Sequence, residues 1–222
     1  MARGLEAYGG GKYSVAAEIF HQAAALGDVD AMMYLGVMYG TGHGVDRDYA
    51  AAMGWFTHAA DAGSSQAMCN IGLLHFQGLG TLKNYREALR WFLKAASSGN
   101  AEAMFNVGAL VRDGLGVPVN YVEALGWFRR AAANGDVSAA NAIGVLYQQG
   151  LGVSVDYVEA MTWYQKAAEA GHGTAMFNIG VLWESGLGVT RDRDQAIAWY
   201  RKAAAAGSEP ARAALKSLGV QD

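Results

Sequence analysis

Apolar, glycine and polar positions along the chain recur with a spacing of 36 residues. One series is glycine, at Gly27, Gly63, Gly99, Gly135, Gly171 and Gly207. Another is tryptophan followed by Phe or Tyr, at Trp55, Trp91, Trp127, Trp163 and Trp199. No insertion or deletion breaks the register over five repeats. A fixed period of this length predicts a solenoid, in which each repeat buries its apolar face against its neighbours.

Each repeat is predicted to form two helices joined by a turn. The first helix of the first full repeat covers residues 30–41 (DAMMYLGVMYGT). The second helices are predicted to begin at the good N-cap residues Asp48, Asn84, Asn120, Asp156 and Asp192. A capping-box partner follows three residues later in four repeats, as Glu87, Glu123, Glu159 and Gln195. The second helices end at the glycines of the 27-to-207 series, which suit a left-handed conformation just after a helix.

Two further sets of small residues need an explanation. Glycine-rich turns before helices can hold a phosphate, but pairs such as Gly150/Gly152 recur in all five repeats, so we interpret them as helix–helix turns. Glycines inside the first helices cost roughly 1 kcal/mol each relative to Ala; they are Gly36, Gly72, Gly108, Gly144 and Gly180. Their recurrence predicts a close approach between neighbouring helices, with the Trp-Phe and Trp-Tyr pairs supplying buried area between them.

The register also predicts the domain organisation. The chain is expected to be a single repeat domain over residues 1–222. Residues 1–27 form a shortened first unit, and the five full repeats are 28–63, 64–99, 100–135, 136–171 and 172–207. Residues 208–222 begin a sixth unit, but Lys216 replaces its interior glycine, and we expect a polar capping helix there.

Composition narrows the possible partners. The net charge is −3 with no basic stripe, which argues against nucleic acid and anionic lipid as main partners. Cys69 stands alone and forms no intrachain disulfide. No apolar run is long enough for a membrane span, so no membrane insertion is expected. Residues 1–12 lack the apolar region of a signal peptide; because an upstream segment could be missing, the compartment is left open between cytoplasm and periplasm.

The segment AMFNIGVLWESGLGVTRDRDQAIAWYRKAAAAG (175–207) resembles a Sel-1-like repeat, which is related to the tetratricopeptide repeat. The resemblance covers 28–207 and is highly specific. It implies an all-α, right-handed α/α superhelical solenoid of 36-residue helix-turn-helix repeats. It also implies a scaffold that binds proteins, often as an adaptor in bacterial signalling or secretion. A cysteine-rich subgroup linked to β-lactam binding uses a Cys pair in each repeat, and this chain departs from it.

Catalytic constellations are missing from the sequence. The five histidines show no i, i+4 metal pairing, and neither a CxxC motif nor a G-x-S-x-G elbow is present. We therefore predict no catalytic residues, no metal and no cofactor, and a chain that is not an enzyme. His75 is interpreted as a partly buried helix residue, and Cys69 as a small core or groove residue.

The candidate binding residues come from the first helices, which line the concave wall of tetratricopeptide-like solenoids. One arc of these helices varies between repeats, whereas the remaining positions hold repeated small or aliphatic residues. The predicted concave-groove residues are Met33, Cys69, Phe76, Phe105, Arg112, Asn141, Gln148, Phe177 and Glu184. Phe76, Phe105 and Phe177 are the expected anchors, because aromatic residues are enriched at binding hot spots. The alternative is that this arc varies because nothing selects it.

The sequence thus predicts a non-catalytic interaction scaffold, monomeric, that binds a protein or peptide in this groove as an adaptor or regulator. The first alternative is a sensor or inhibitor of one enzyme. A β-lactam-binding hydrolase is a third, weaker alternative.

Overall fold

The computed structural model describes residues 1–220, and all regular elements in that part of the chain are helices. They are α1 (Ala2–Gly9), α2 (Tyr13–Ala25), α3 (Val29–Thr41), α4 (Tyr49–Asp61), α5 (Ser65–Gln77), α6 (Tyr85–Ser97), α7 (Ala101–Asp113), α8 (Tyr121–Ala133), α9 (Val137–Gln149), α10 (Tyr157–Glu169), α11 (Gly173–Ser185), α12 (Arg193–Ala205) and α13 (Glu209–Ser217). The all-α helical-repeat prediction is confirmed. The predicted C-terminal capping helix corresponds to α13, and its last two predicted residues, 221 and 222, lie outside the described part.

The helices belong to two compact units. The first contains Met1–Leu110 together with Gly114–Pro118, and the second contains Val111–Asp113 together with the chain from Val119 onward. Within each unit the same pair recurs, a first helix followed by a second helix. The first helices of the full repeats are α3, α5, α7, α9 and α11, and the second helices are α4, α6, α8, α10 and α12.

The second helices begin where the N-cap residues predicted. In α4 the Asp48 carboxylate accepts from the Ala50 and Ala51 amides at 2.8 and 3.0 Å, and Asn84, Asn120, Asp156 and Asp192 act in the same way. Half of the predicted capping box forms, since the Asn84 side chain accepts from the Glu87 amide at 3.1 Å. The return bond does not form, because the Asn84 amide donates to the His75 carbonyl of the first helix at 2.9 Å. This bond recurs at each N-cap, so the acidic residue is not needed there.

The glycine pairs make the turn and also join neighbouring repeats. Gly150 ends α9 in the left-handed conformation, with φ of 69°. Gly152 lies so close to the N-terminus of α8 that a Cβ would stand 2.7 Å from the Tyr121 carbonyl carbon. A side chain at Gly152 would therefore push the turn away from the preceding second helix.

The interior glycines lie against the aromatic residue of their own repeat. A Cβ at Gly36 would meet the Phe56 ring at 2.4 Å, and one at Gly72 would meet the Phe92 ring at 2.6 Å. In the second unit Gly144 and Gly180 lie against the rings of Tyr164 and Tyr200 at 2.5 Å. The predicted close helix approach is confirmed. The ring that each glycine contacts belongs to the residue that follows the Trp.

The Trp side chains were expected in the core, and this expectation is corrected. The ring after each Trp is the buried one, whereas the Trp itself is half-buried. A cation three residues later covers the exposed face of several indoles, as Lys166 does over Trp163 at 3.9 Å. Lys94, Arg130 and Lys202 lie over Trp91, Trp127 and Trp199. The indoles thus pack at the border between core and solvent, which suits their amphipathic ring.

The glycine–ring contact predicts opposite effects for two matched substitutions in the first unit. Gly72→Ala should lower the stability by about 1–3 kcal/mol, because its methyl group overlaps the buried Phe92 ring. Gly54→Ala, on the exposed face of α4 with open space around it, should raise stability by about 0.5–1 kcal/mol. Melting curves followed by circular dichroism measure both. Equal effects of the two substitutions would contradict the contact.

The N-cap residue of α11, His172, predicts that the folding stability depends on pH. His172 Nδ1 accepts from the Ala175 amide at 3.2 Å, and burial lowers the pKa of His172. The unfolded chain therefore takes up a proton at this site before the folded chain does. Stability from the cap is present above the unfolded pKa of about 6.5 and is lost as pH falls below it. His172→Asn keeps an uncharged cap, so its stability should rise relative to wild type as pH falls from neutral to 5. A stability difference between the two proteins that does not change with pH would contradict this role of His172.

Candidate functional site

The predicted binding residues lie on the first helices, and the set is called the variable face below. In the first unit it comprises Met33, Cys69, Phe76 and Phe105. In the second unit it comprises Arg112, Asn141, Gln148, Phe177 and Glu184. All of these side chains are half-buried except Cys69.

Cys69 corrects the predicted set. Its side chain is fully buried, so it belongs to the core and offers no surface to a partner. Burial raises the pKa of the thiol to about 12, which leaves it protonated and unreactive near neutral pH. The Sγ atom lies 3.9 Å from the Asn106 amide nitrogen on the next first helix.

Two members of the variable face accept hydrogen bonds from the buried tyrosines. The Tyr164 hydroxyl donates to Gln148 Oε1 at 2.6 Å, and the Tyr200 hydroxyl donates to Glu184 Oε2 at 2.5 Å. Burial raises the pKa of both tyrosines, so they remain neutral donors. Repeats with Phe after Trp need no acceptor, and the same position there holds Gly40, Phe76 or Arg112. Part of the variation between repeats therefore follows from packing inside each repeat.

The other large side chains of the variable face also have intramolecular contacts. The Phe76 ring centre lies 5.4 Å from that of Tyr85, and Phe177 lies 5.5 Å from Tyr200. Arg112 forms a two-pronged contact with Asp113, at 2.6 Å from Nε to Oδ1 and 2.8 Å from Nη2 to Oδ2. Hydrogen bonding to Asp113 raises the pKa of Arg112. An acidic partner group would have to share this guanidinium with Asp113.

An asparagine series next to the variable face was missed by the sequence analysis. Asn178 Nδ2 donates to Asn141 Oδ1 at 3.0 Å, which joins two successive first helices of the second unit. Asn106 makes the equivalent contact to Cys69 in the first unit. The signal was visible in the repeat register, where Asn70, Asn106 and Asn178 occupy the same position.

Within residues 1–220, no group of three or more His, Cys, Asp or Glu side chains is placed to hold a metal ion. None of the helices there combines the length and apolar character that a bilayer span requires.

The repeated helix pairs define a helical-repeat protein. Six stretches match the family model of the Sel1 repeat, at residues 4–28, 29–64, 65–100, 101–136, 137–172 and 173–208. The chain belongs to the Sel1 repeat family. Proteins of this family generally mediate protein–protein interaction.

Similar structures support this assignment. A Sel1 repeat protein from Oxalobacter formigenes is 35% identical with a TM-score of 0.92, over 98% of this chain and 89% of that one. The protein c5321, a protective antigen of uropathogenic Escherichia coli strains with an SLR fold, is 30% identical with a TM-score of 0.80. That match covers 93% of this chain but only 44% of c5321, so this chain spans less than half of that protein. No curated protein matches the chain.

The contact between Gln148 and Tyr164 predicts strong coupling in a double-mutant cycle. Gln148→Leu should cost about 1–3 kcal/mol, because it leaves the buried Tyr164 hydroxyl without an acceptor. In a Tyr164→Phe background the same substitution should cost far less, since no hydroxyl needs a partner. Urea unfolding of the four proteins measures the coupling. Additive effects would show that Gln148 does not serve Tyr164 and varies for another reason.

Proposed function

We propose that this chain is a non-catalytic scaffold that binds a protein or peptide through the variable face of its first helices. The supporting observation is the set of half-buried aromatic side chains on that face, Phe76 and Phe105 in the first unit and Phe177 in the second. One face of a half-buried ring packs against the core, and the other face is accessible to a partner. Aromatic residues in such positions supply most of the energy at many protein interfaces.

The accessible polar groups add specificity to these anchors. Asn141 accepts one hydrogen bond from Asn178 and keeps its own amide group for a partner's carbonyl. Glu184 presents a carboxylate beside the Phe177 region of α11 while it accepts from Tyr200. A peptide with an apolar side chain and a nearby hydrogen-bonding backbone fits this combination. The role we assign is that of an adaptor or regulator in bacterial signalling or secretion.

Capture of partners by purified variants tests the proposal. Phe105→Ala and Phe177→Ala, made singly, should each lower the affinity for a specific partner by about 2 kcal/mol, which is the size of a hot-spot contribution. The matched control is Leu82→Ala, which removes an exposed apolar side chain from a turn outside the variable face. This control should bind as wild type does.

The variants must first keep the helical circular dichroism spectrum and a cooperative melt. Binding constants are then measured by calorimetry for each partner captured by the wild type. If both phenylalanine variants are folded and bind with unchanged affinity, the partner uses another surface and the assignment to the variable face is wrong.

A further inference from the structure

A cavity of about 380 Å³ lies in the second unit, between the C-terminal halves of α8 and α10 and above the start of α9. Ala140 lines its base, and the Trp163 indole forms one wall. Arg129, Asp136 and Lys166 also line it. Pockets that bind small groups begin at about 300 Å³, so this space can take an inserted side chain. It is called the Ala140 pocket below, and it shares no residue with the variable face.

One of the residues that line this pocket has an unusually small side chain for its position in the repeat. The position of Ala140 holds methionine in the other full repeats, at Met32, Met68, Met104 and Met176. Met68 and Trp91 are both partly buried and pack against the same core cluster of the first unit, and Met176 and Trp199 do the same in the second unit. In those repeats a methionine and the tryptophan of the following second helix therefore border the same part of the core. At Ala140 a single methyl group stands in that place, so the Trp163 wall has no methionine of its own.

The edge of the pocket is cationic. Lys166 Nζ lies over the Trp163 ring at 3.9 Å. Arg129 Nη2 donates to the Tyr147 hydroxyl at 2.7 Å, which holds the guanidinium at the edge. Asp136 carries the one carboxylate among the lining residues, and it accepts from the Ala139 amide at 2.7 Å as the cap of α9. The Glu159 carboxylate nearby is engaged by the Trp163 indole N–H at 2.8 Å. The two lining cations therefore outnumber the one lining anion, and the edge favours a negatively charged ligand.

We propose that the Ala140 pocket binds an acidic segment of a partner protein, which inserts a Met or Leu side chain against Ala140 and Trp163 and places flanking carboxylates at Arg129 and Lys166. The size and type of the inserted group follow from the methionine that occupies the same position in the other full repeats. The charge of the flanking residues follows from the cations at the edge. This second surface shares no residue with the variable face, because it combines the C-terminal halves of α8 and α10 with the start of α9.

The test uses a synthetic peptide, acetyl-Asp-Glu-Met-Glu-Asp-amide, titrated into the full-length chain labelled with ¹⁵N. Saturable shifts are expected at the Trp163 indole and at the amides of residues 135–140. They should weaken as salt is raised, since the carboxylate contacts are solvent-exposed and screened. A peptide with Lys in place of the acidic residues should cause no saturable shifts, and one with Ser in place of Met should bind at least tenfold more weakly.

Ala140→Met is the deciding variant, because it restores the residue of the other repeats. It should fold with a melting temperature no lower than that of wild type and bind the acidic peptide at least tenfold more weakly. Arg129→Gln/Lys166→Gln should weaken binding to a similar degree and remove its salt dependence. A matched variant, Met68→Ala, should open a similar space beside Trp91 and Lys94 but bind poorly, because Thr57 stands where Arg129 does.

Several results would overturn the proposal. One is the absence of saturable shifts at the pocket with peptide at several millimolar. Another is equal binding by wild type and a folded Ala140→Met variant, and a third is equal binding at the Met68→Ala site. Shifts that depend on protein concentration alone would show that a second copy of the chain occupies the pocket instead.

Loss of binding at the pocket with an unchanged variable-face partner would separate this site from the proposed function.

Discussion

The contact between a glycine in each first helix and an aromatic ring in the second helix is the constraint on which the repeats depend. The ring fills the place where a Cβ would be, so the two helices approach more closely than any other residue allows. Gly72 and Phe92 show this in the first unit, and Gly144 and Tyr164 in the second. The ring is fully buried in both units. The helical cost of the glycine, roughly 1 kcal/mol, is offset by the burial of a whole aromatic side chain.

The same contact explains features at the surface. A Tyr in the buried position brings a hydroxyl to the edge of the core, and that hydroxyl requires an acceptor on the first helix. Gln148 and Glu184 supply it, so two residues that look free to vary are coupled to the ring beneath them. The surface proposed for partner binding therefore begins where the packing within each repeat ends, at the exposed faces of rings such as Phe177.

Much of the fold follows from the sequence, because capping and glycine signals act locally and recur at a fixed spacing. The N-cap at Asp48 and the interior glycine at Gly36 could be interpreted from the pattern alone. The return bond of the capping box does not form, because the Asn84 amide donates to a carbonyl of the preceding helix. The sequence left Cys69 open between core and groove, and the space beside Ala140 was not predicted, since both depend on how helices from neighbouring repeats pack. Comparison of equivalent positions would have drawn attention to Ala140.

The coupling between Gly72 and Phe92 is the measurement that tests the central claim most directly. Phe92→Leu makes room in the contact, so an alanine at position 72 should cost less in that background than in wild type. A coupling of at least about 1 kcal/mol, above the roughly 0.5 kcal/mol within which independent sites add, is expected from urea unfolding of wild type, the two single variants and the double variant. Strictly additive effects would contradict the account, because they would show that glycine and ring are not in contact.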